Sequence, residues 1–261
     1  MILDDITAST RARVERLKAE GYYKKVHEAA EKLEPEKTFS FEAALRRKGL
    51  SFICEVKKAS PSKGVISETF PYMDIAKAYE KAGADAISCL TEPEWFKGSI
   101  QYLREIAAAA KTPVLRKDFI IDPCQIEEAA AAGASAVLLI AAVLTDRELR
   151  DYRERAEALG LSALTEAHNE EELRRAAASG AKIIGVNNRN LKDFTIDLGA
   201  AERLYPLVPE GAVYVAESGM MTEAAVARMK DAGADAVLIG EMLMRAADPG
   251  ELLERLRRDN Q

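Results

Sequence analysis

The same short pattern occurs four times in the chain: Lys81-Ala-Gly-Ala-Asp-Ala-Ile-Ser-Cys-Leu90, Ala131-Ala-Gly-Ala-Ser-Ala-Val-Leu-Leu-Ile140, Ala178-Ser-Gly-Ala-Lys-Ile-Ile-Gly-Val-Asn187 and Asp231-Ala-Gly-Ala-Asp-Ala-Val-Leu-Ile-Gly240. In each copy a glycine follows a helical stretch and a short apolar run follows the glycine. Glycine accepts the left-handed turn that ends a helix, and an apolar run without polar alternation is typical of a parallel strand covered on both faces. The pattern therefore predicts four helix-to-strand units.

The spacing of the repeat predicts how many strands the fold contains. The repeated glycines are separated by 50, 47 and 53 residues, which is room for two strand-helix units in each interval. A second set of candidate strands lies midway, at residues 52–57, 113–117, 161–166 and 213–217, with helical stretches between strands at 99–110, 170–178 and 222–232. Eight strands alternating with helices favour a closed (β/α)8 TIM barrel, an α/β fold. An open, doubly wound sheet is disfavoured because no glycine-rich fingerprint follows the first strand.

The predicted barrel does not use all of the 261 residues. Residues 48–261 form the barrel, and residues 1–47 form an N-terminal helical extension within the same single domain. The extension contains helical patterns at 3–20 and 22–32, followed by Pro35. We expect it to pack on the barrel or to shape its mouth.

Charge and composition exclude several classes of partner. The net charge is −6, and the basic residues are spread among acidic ones, so no nucleic-acid or anionic-membrane surface is expected. No apolar run approaches the ~18 residues of a membrane span, and an acidic start is unlike a signal peptide, so we expect a cytoplasmic protein. The chain has only three cysteines, without CxxC spacing, which predicts buried thiols and no metal site. We expect a monomer or a weak homo-oligomer.

Charged residues at predicted strand ends are the candidates for chemistry, because the active site of such a barrel lies at the carboxyl ends of its strands. Glu55 and Lys57 share one face of the first strand, where a charged pair inside a barrel is costly without a function. Lys117 ends the third strand and Glu166 the fifth. Further polar side chains follow the sixth strand at Asn187 and Arg189. For His168, just past Glu166, we expect a helix-capping or solvent-facing position in a loop.

Glycines follow the last two strands, where such barrels frequently bind phosphate. Gly219 and Gly240 leave backbone amides open to an anion, and Ser60 and Ser62 lie on the loop after the first strand. Together they predict a small phosphorylated substrate.

Six strand-end motifs resemble those of the indole-3-glycerol phosphate synthase family, in order and over essentially the whole chain. They are Cys54-Glu-Val-Lys-Lys-Ala-Ser-Pro-Ser-Lys-Gly64, Leu115-Arg-Lys-Asp-Phe-Ile120, Leu164-Thr-Glu-Ala-His168, Gly185-Val-Asn-Asn-Arg-Asn-Leu191, Ala216-Glu-Ser-Gly219 and Leu238-Ile-Gly-Glu241. The resemblance implies a decarboxylating lyase of tryptophan biosynthesis. Its reaction would close the ring of 1-(2-carboxyphenylamino)-1-deoxyribulose 5-phosphate to indole-3-glycerol phosphate, with loss of carbon dioxide and water.

The resemblance also implies roles for individual residues. The catalytic set is Glu55, Lys57, Lys117, Glu166, Asn187 and Ser218, and the substrate or phosphate contacts are Ser60, Arg189, Gly219, Gly240 and Glu241. We expect Lys117 to protonate the keto oxygen and either Glu55 or Glu166 to stabilise the iminium cation. Lys57 with one of these glutamates would then eliminate water. Asn187 would orient a substrate hydroxyl, Glu55 or Lys57, and no cofactor or metal is needed.

Two other functions remain open. Another phosphate-binding barrel enzyme, such as phosphoribosylanthranilate isomerase, would be expected to place a cysteine and an aspartate at strand ends. A non-catalytic or repurposed barrel would have no reason to keep a costly buried set of charges.

Overall fold

Eight parallel strands close into a barrel in the computed structural model, which describes residues 2–35, 37–190 and 194–260. Each strand pairs with the next along the chain, and the last pairs with the first, with Cys54 opposite Ile239. The strands are β1 (Ser51–Val56), β2 (Ala86–Leu90), β3 (Val114–Lys117), β4 (Ala136–Ile140), β5 (Ser162–Ala167), β6 (Ile183–Asn187), β7 (Val213–Glu217) and β8 (Ala236–Ile239). The predicted (β/α)8 barrel is confirmed.

Helices precede the barrel, connect its strands and follow the last of them. They are α1 (Ile2–Ala19), α2 (Tyr22–Ala30), α3 (Ser40–Leu45), α4 (Tyr72–Lys81), α5 (Ile100–Ala109), α6 (Pro123–Ala131), α7 (Asp146–Ala158), α8 (Glu170–Ala178), α9 (Gly199–Leu204), α10 (Glu223–Asp231), α11 (Glu241–Met244) and α12 (Pro249–Asp259). Between α9 and β7 the chain makes one 3₁₀ turn. Over the described ranges, no helix combines the length and the apolarity needed to cross a membrane.

The repeated glycines end helices as the sequence predicts. Gly83, Gly133, Gly180 and Gly233 have φ angles of 85°, 83°, 83° and 94°, in the left-handed region that favours glycine. The other ends of several helices are capped by side chains that accept a hydrogen bond from a backbone N–H: Ser99, Asp122, Thr145, Asn169, Thr222 and Asp248. Local sequence thus fixes where several of the barrel helices begin and where four of them end.

Alternate residues along β1 face opposite sides of the barrel wall. Phe52 and Cys54 pack outward against the surrounding helices, whereas Ile53 packs inward with apolar residues of the other strands. Helix α3 closes the bottom of the barrel, because its Phe41 and Leu45 are fully buried in that inner cluster. The same alternation turns Glu55 and Lys57 into the barrel, as their spacing predicts.

The first two helices contact the barrel at different places. Helix α1 buries Ile6, Thr10 and Val14, and its first turns border the upper end of the barrel. Helix α2 packs along α6 on the outside. Helix α1 therefore borders the mouth of the barrel, and α2 lies against its outer helices.

A buried ion network lies on the outer face of β3, directly behind the Lys117 position. Asp118 accepts hydrogen bonds from Arg13 of α1 (3.1 Å), from Arg116 (3.1 Å) and from the Thr91 hydroxyl (2.7 Å). Arg116 also pairs with Glu128 at 2.7 Å. Burial by itself would raise the pKa of Asp118, but Arg13 and Arg116 outweigh it and hold that pKa below its ordinary value. The network ties α1 to the strand that carries Lys117.

Asp118→Asn is expected to destabilise the protein by about 3 kcal/mol, because it leaves two arginines facing a neutral amide in a buried site. The comparison variant is Arg147→Gln, which breaks an ion pair whose side chains are 91% and 53% exposed. That change should cost no more than about 1 kcal/mol. Denaturant unfolding followed by circular dichroism measures both, and equal effects would contradict the role assigned to the network.

Candidate active site

The carboxyl ends of the strands surround one cavity, which spans about 1110 Å³ including its open mouth. Every site residue predicted from the sequence lines it: Glu55, Lys57, Ser60, Lys117, Glu166, Asn187, Arg189, Ser218, Gly219, Gly240 and Glu241. The structure therefore brings together side chains from six strands or the loops behind them.

The pair on β1 forms a direct contact inside the barrel. The Lys57 ammonium donates a hydrogen bond to the Glu55 carboxylate, which is almost fully buried. A side chain at Gly240, after β8, would overlap that carboxylate. The glycine therefore leaves the room that Glu55 occupies.

Lys117 on β3 is surrounded by carboxylates. Its Nζ lies 3.3 Å from Glu166 Oε2 and 3.7 Å from Glu217 Oε2. Burial by itself would lower the pKa of Lys117, but its carboxyl neighbours, Glu166 above all, outweigh it and raise that pKa above its ordinary value. Lys117 is accordingly a charged ammonium at neutral pH.

Glu166 and Glu217 are two buried carboxyl groups with opposite behaviour. Burial favours the neutral form of both, yet Lys117 and His168 hold the pKa of Glu166 below its ordinary value. For Glu217, burial and the neighbouring Glu166 charge raise the pKa well above its ordinary value. We infer that the pair holds one proton at neutral pH, on Glu217.

Asn187 and Arg189 follow each other at the end of β6. The Asn187 side chain hydrogen-bonds Glu166, and its Oδ1 accepts the Arg189 backbone N–H at 3.0 Å. The Arg189 guanidinium reaches the Ser62 hydroxyl at 3.4 Å, across the cavity mouth.

The loops after β7 and β8 form the side of the cavity where phosphate is expected. Ser218 and Gly219 both have left-handed backbone, with φ angles of 64° and 84°, and the Asn188 amide donates to the Ser218 carbonyl at 3.2 Å. The Glu241 carboxylate points to cations, accepting from Arg245 at 3.0 Å and lying 3.9 Å from Lys63 Nζ. The backbone N–H groups of Ser218 and Gly219 and the Ser218 hydroxyl are donors that an anion could use.

Residues that the sequence reasoning did not single out complete the site. Glu217 belongs to the Ala216-Glu-Ser-Gly219 motif and ends β7, much as Glu166 lies one residue before the end of β5. Apolar side chains form another wall, with the rings of Phe96 and Phe119 6.0 Å apart and Ile2, Leu3 and Ile6 of α1 beside them. This wall suits an aromatic ring.

The expectation that His168 caps a helix or faces the solvent is wrong. Asn169, not His168, caps α8, and the His168 ring is buried, with a side chain only 12% exposed. Its Nδ1 lies 3.0 Å from Glu172 Oε2 and its Nε2 lies 3.3 Å from Glu166 Oε1. The ring therefore lies between Glu172 and Glu166 and is largely shielded from solvent.

Fold and site together define a (β/α)8-barrel enzyme with a cluster of acidic and basic side chains at the carboxyl ends of its strands. Residues 3–256 match the family profile described as indole-3-glycerol phosphate synthase, and the chain belongs to this family. It is 54% identical to the indole-3-glycerol phosphate synthase of Ruminiclostridium cellulolyticum, covering 98% of this chain and 99% of that one. It is 53% identical to that of Endomicrobium trichonymphae, covering 98% of each.

Solved structures of low sequence identity support the fold alone. The 3-hexulose-6-phosphate synthase of Salmonella typhimurium superposes with a TM-score of 0.65 at 15% identity, covering 80% of this chain and 99% of that one. The thiamine phosphate pyrophosphorylase of Pyrococcus furiosus gives 0.61 at 16% identity, covering 80% and 94%.

Family membership confirms the expected function. The protein is a decarboxylating lyase of tryptophan biosynthesis that forms indole-3-glycerol phosphate. The alternatives of another phosphate-binding barrel enzyme and of a non-catalytic scaffold are set aside by the same match.

Gly185→Ala is expected to lower kcat by about a hundredfold, because a Cβ on β6 would overlap the Glu217 carboxylate and displace the cluster. Gly250→Ala in α12 is the matched control, since its Cβ meets nothing closer than 3.3 Å. Steady-state kinetics and thermal unfolding of both variants test this expectation. Normal turnover by a folded Gly185→Ala enzyme would show that Glu217 need not hold its position.

Proposed function

We propose that Lys117 is the acid that protonates the keto oxygen of the substrate as the ring closes. The observation that supports this role is its position beside the ionised Glu166 carboxylate, with Glu55 also nearby, whose charges keep the ammonium protonated. When the aromatic carbon attacks the keto carbon, the electron pair of the C=O bond moves to oxygen, and a fixed cation stabilises the charge that develops. The alkoxide is a stronger base than a lysine amine, so the proton moves to it from Lys117 despite the raised pKa.

Glu166 is the carboxylate proposed to stabilise the cation that then exists on the anilino nitrogen. Its lowered pKa keeps it ionised, and one of its oxygens faces Lys117. The substrate carboxyl group leaves as carbon dioxide, and the electron pair of the broken bond returns to the ring and restores aromaticity. A buried anion near the nitrogen lowers the barrier to forming that cation. Of the two glutamates considered for this role, the contacts favour Glu166.

Lys57 and Glu55 are proposed to carry out the dehydration. Lys57 gives a proton to the hydroxyl group on the former keto carbon, which leaves as water. Glu55 removes the proton from the adjacent carbon, and that electron pair becomes the new double bond of the indole. Their mutual hydrogen bond places an acid and a base side by side in the cavity.

The anionic ends of the substrate are assigned to the rim. Backbone N–H groups at Ser218, Gly219 and Gly240, with the Ser60 hydroxyl, would hold the phosphate, and Arg189 would hold a second anionic group. Glu241 would contribute through its backbone, since its carboxylate is held by Arg245.

The proposal extends to the organisation of the chain. Residues 1–47 act as the N-terminal helical extension and residues 48–261 as the catalytic barrel. The protein works in the cytoplasm as a monomer or a weak homo-oligomer, on a small phosphorylated substrate.

Lys117→Met is expected to lower kcat by about 10²–10⁴-fold while the protein stays folded, because the variant keeps the length of the side chain and loses its proton. The wild-type protein is expected to convert the carboxyphenylamino substrate to a product with indole fluorescence. Lys25→Met, which changes an exposed lysine of α2, is the control. An active Lys117→Met enzyme would dismiss Lys117 as the acid.

Arg189→Gln is expected to raise KM about tenfold to a hundredfold with a smaller effect on kcat, because it removes a charged contact to a bound anion. Arg255→Gln, which changes an exposed arginine paired with Glu223, should leave KM unchanged. Initial rates over a range of substrate concentrations distinguish the two parameters. A fall in kcat at constant KM would instead place Arg189 in the chemical steps.

A further inference from the structure

His168 and Glu172 form a buried pair beside the acid-base cluster, and the proposed chemical steps give neither of them a role. Each nitrogen of the His168 ring lies near one carboxylate oxygen: Nδ1 is 3.0 Å from Glu172 Oε2, and Nε2 is 3.3 Å from Glu166 Oε1. Glu172 also accepts the His168 backbone N–H at 2.9 Å and the Asn169 side-chain amide at 2.7 Å. The imidazole is therefore held in one orientation from the start of α8.

The two oxygens of Glu166 face two different nitrogen cations. Lys117 Nζ lies near Oε2, and His168 Nε2 lies near Oε1. The His168 Nε2 atom is buried and makes no aligned hydrogen bond, so its contact with Glu166 is one of charge and proximity. The side of Glu166 away from Lys117 is thus occupied by a group that is cationic when protonated.

His168 approaches Glu166 from outside the reaction cavity. The cleft that contains the ring lies between the loops after β5 and β6 and the start of α1, and His168 is absent from the described lining of the reaction cavity. It does not touch the space assigned to the substrate. A role in the reaction must therefore pass through Glu166.

We propose that His168, held by Glu172, is a positioning residue that keeps the Glu166 carboxylate ionised and turned toward Lys117. In this arrangement the proton shared by Glu166 and Glu217 stays on Glu217. The inference rests on the proposed role of Glu166 as the anion beside the developing cation.

The charges around the ring support a protonated imidazole in the acid range. Burial by itself would lower the pKa of His168, but Glu172 and Glu166 outweigh it and raise that pKa above its ordinary value, against an opposing contribution from Lys117. The other charged groups that line the cleft are Asp4, Glu171, Arg175, Asp197 and Arg203. Arg175 is paired with Asp146, and Arg203 with Asp197. Below its raised pKa, His168 therefore adds a positive charge next to Glu166.

The test is the pH profile of kcat for His168→Gln, which removes the charge and retains a polar side chain. We expect the acid limb of the profile to move to higher pH by about one unit, because Glu166 loses a cation and gains a proton more readily. The His27→Gln variant, at a histidine whose side chain is 50% exposed, should leave the profile unchanged. A His168→Gln profile that superposes on the wild-type profile would overturn the inference.

Glu172→Gln provides a second test, because it acts on the imidazole from the side away from Glu166. Weakening the hold on the imidazolium should move the acid limb in the same direction by a smaller amount, and the same change in the His168→Gln background should move it no further. Glu170→Gln, which removes an exposed charge from the same turn of α8, is the control. Additive shifts from the two changes would contradict action through His168.

Thermal unfolding shows whether protonation of His168 stabilises the folded protein. Because the pKa of His168 is raised on folding, its contribution to stability is fully present below about pH 6.5 and is lost as pH rises through the raised value. The melting temperatures of wild-type and His168→Gln proteins should therefore differ most in mild acid. A gap that widens with rising pH would contradict a protonated His168.

The Glu166→Gln variant distinguishes failure of the positioning role of His168 from failure of the proposed role of Glu166. If Glu166→Gln keeps wild-type activity, the role of Glu166 and the inference are both overturned. If it is inactive while His168→Gln shows an unshifted profile, the role of Glu166 stands and only the positioning role is overturned.

Discussion

The contact between the Lys117 ammonium and its surrounding carboxylates is the interaction on which the site depends. A closed barrel has no edge strand, so inward-facing residues at the strand ends point into one desolvated volume. Removing a single ion from water costs several kcal/mol, and Lys117 or Glu166 alone would lose its charge there. Together they keep their charges, and the extra carboxyl group, Glu217, keeps its proton. One network therefore contains a cation, an anion and a neutral acid.

The same strand is fixed from its other face. Lys117 points inward, whereas Arg116 and Asp118 point outward into a second buried ion network that includes Arg13 of α1. Because β3 makes charged contacts on both of its faces, a shift of the strand would break contacts on one face or the other. The N-terminal helix consequently takes part in placing Lys117, and its first turns add apolar side chains to the cavity wall.

The sequence predicts the barrel well because each copy of the repeat contains a complete local signal: a glycine that ends a helix, followed by an apolar strand. Glu55, Lys57 and Lys117 follow from strand alternation, which needs no three-dimensional information. Glu217 also lies at a strand end and so satisfies the rule that selects Glu166. The sequence around it, Ser218-Gly219, equally fits a phosphate-binding loop. The position of His168 depends on the path of the chain past β5, and the shifted pKa values depend on distances between strands, neither of which the sequence contains.

Glycines opposite the carboxylates show how a barrel makes room for charge. The interior of such a barrel is ordinarily filled by branched apolar side chains in layers, and a glutamate carboxyl group with its partners does not fit beside them. Gly185 lies on the strand next to Glu217, and Gly240 follows the strand next to Glu55; a Cβ at either position would overlap the acid it faces. The missing side chain and the carboxyl group are therefore a single packing unit. A change to either half requires a matching change in the other, so the glycines are as much part of the acid-base cluster as the charged residues themselves.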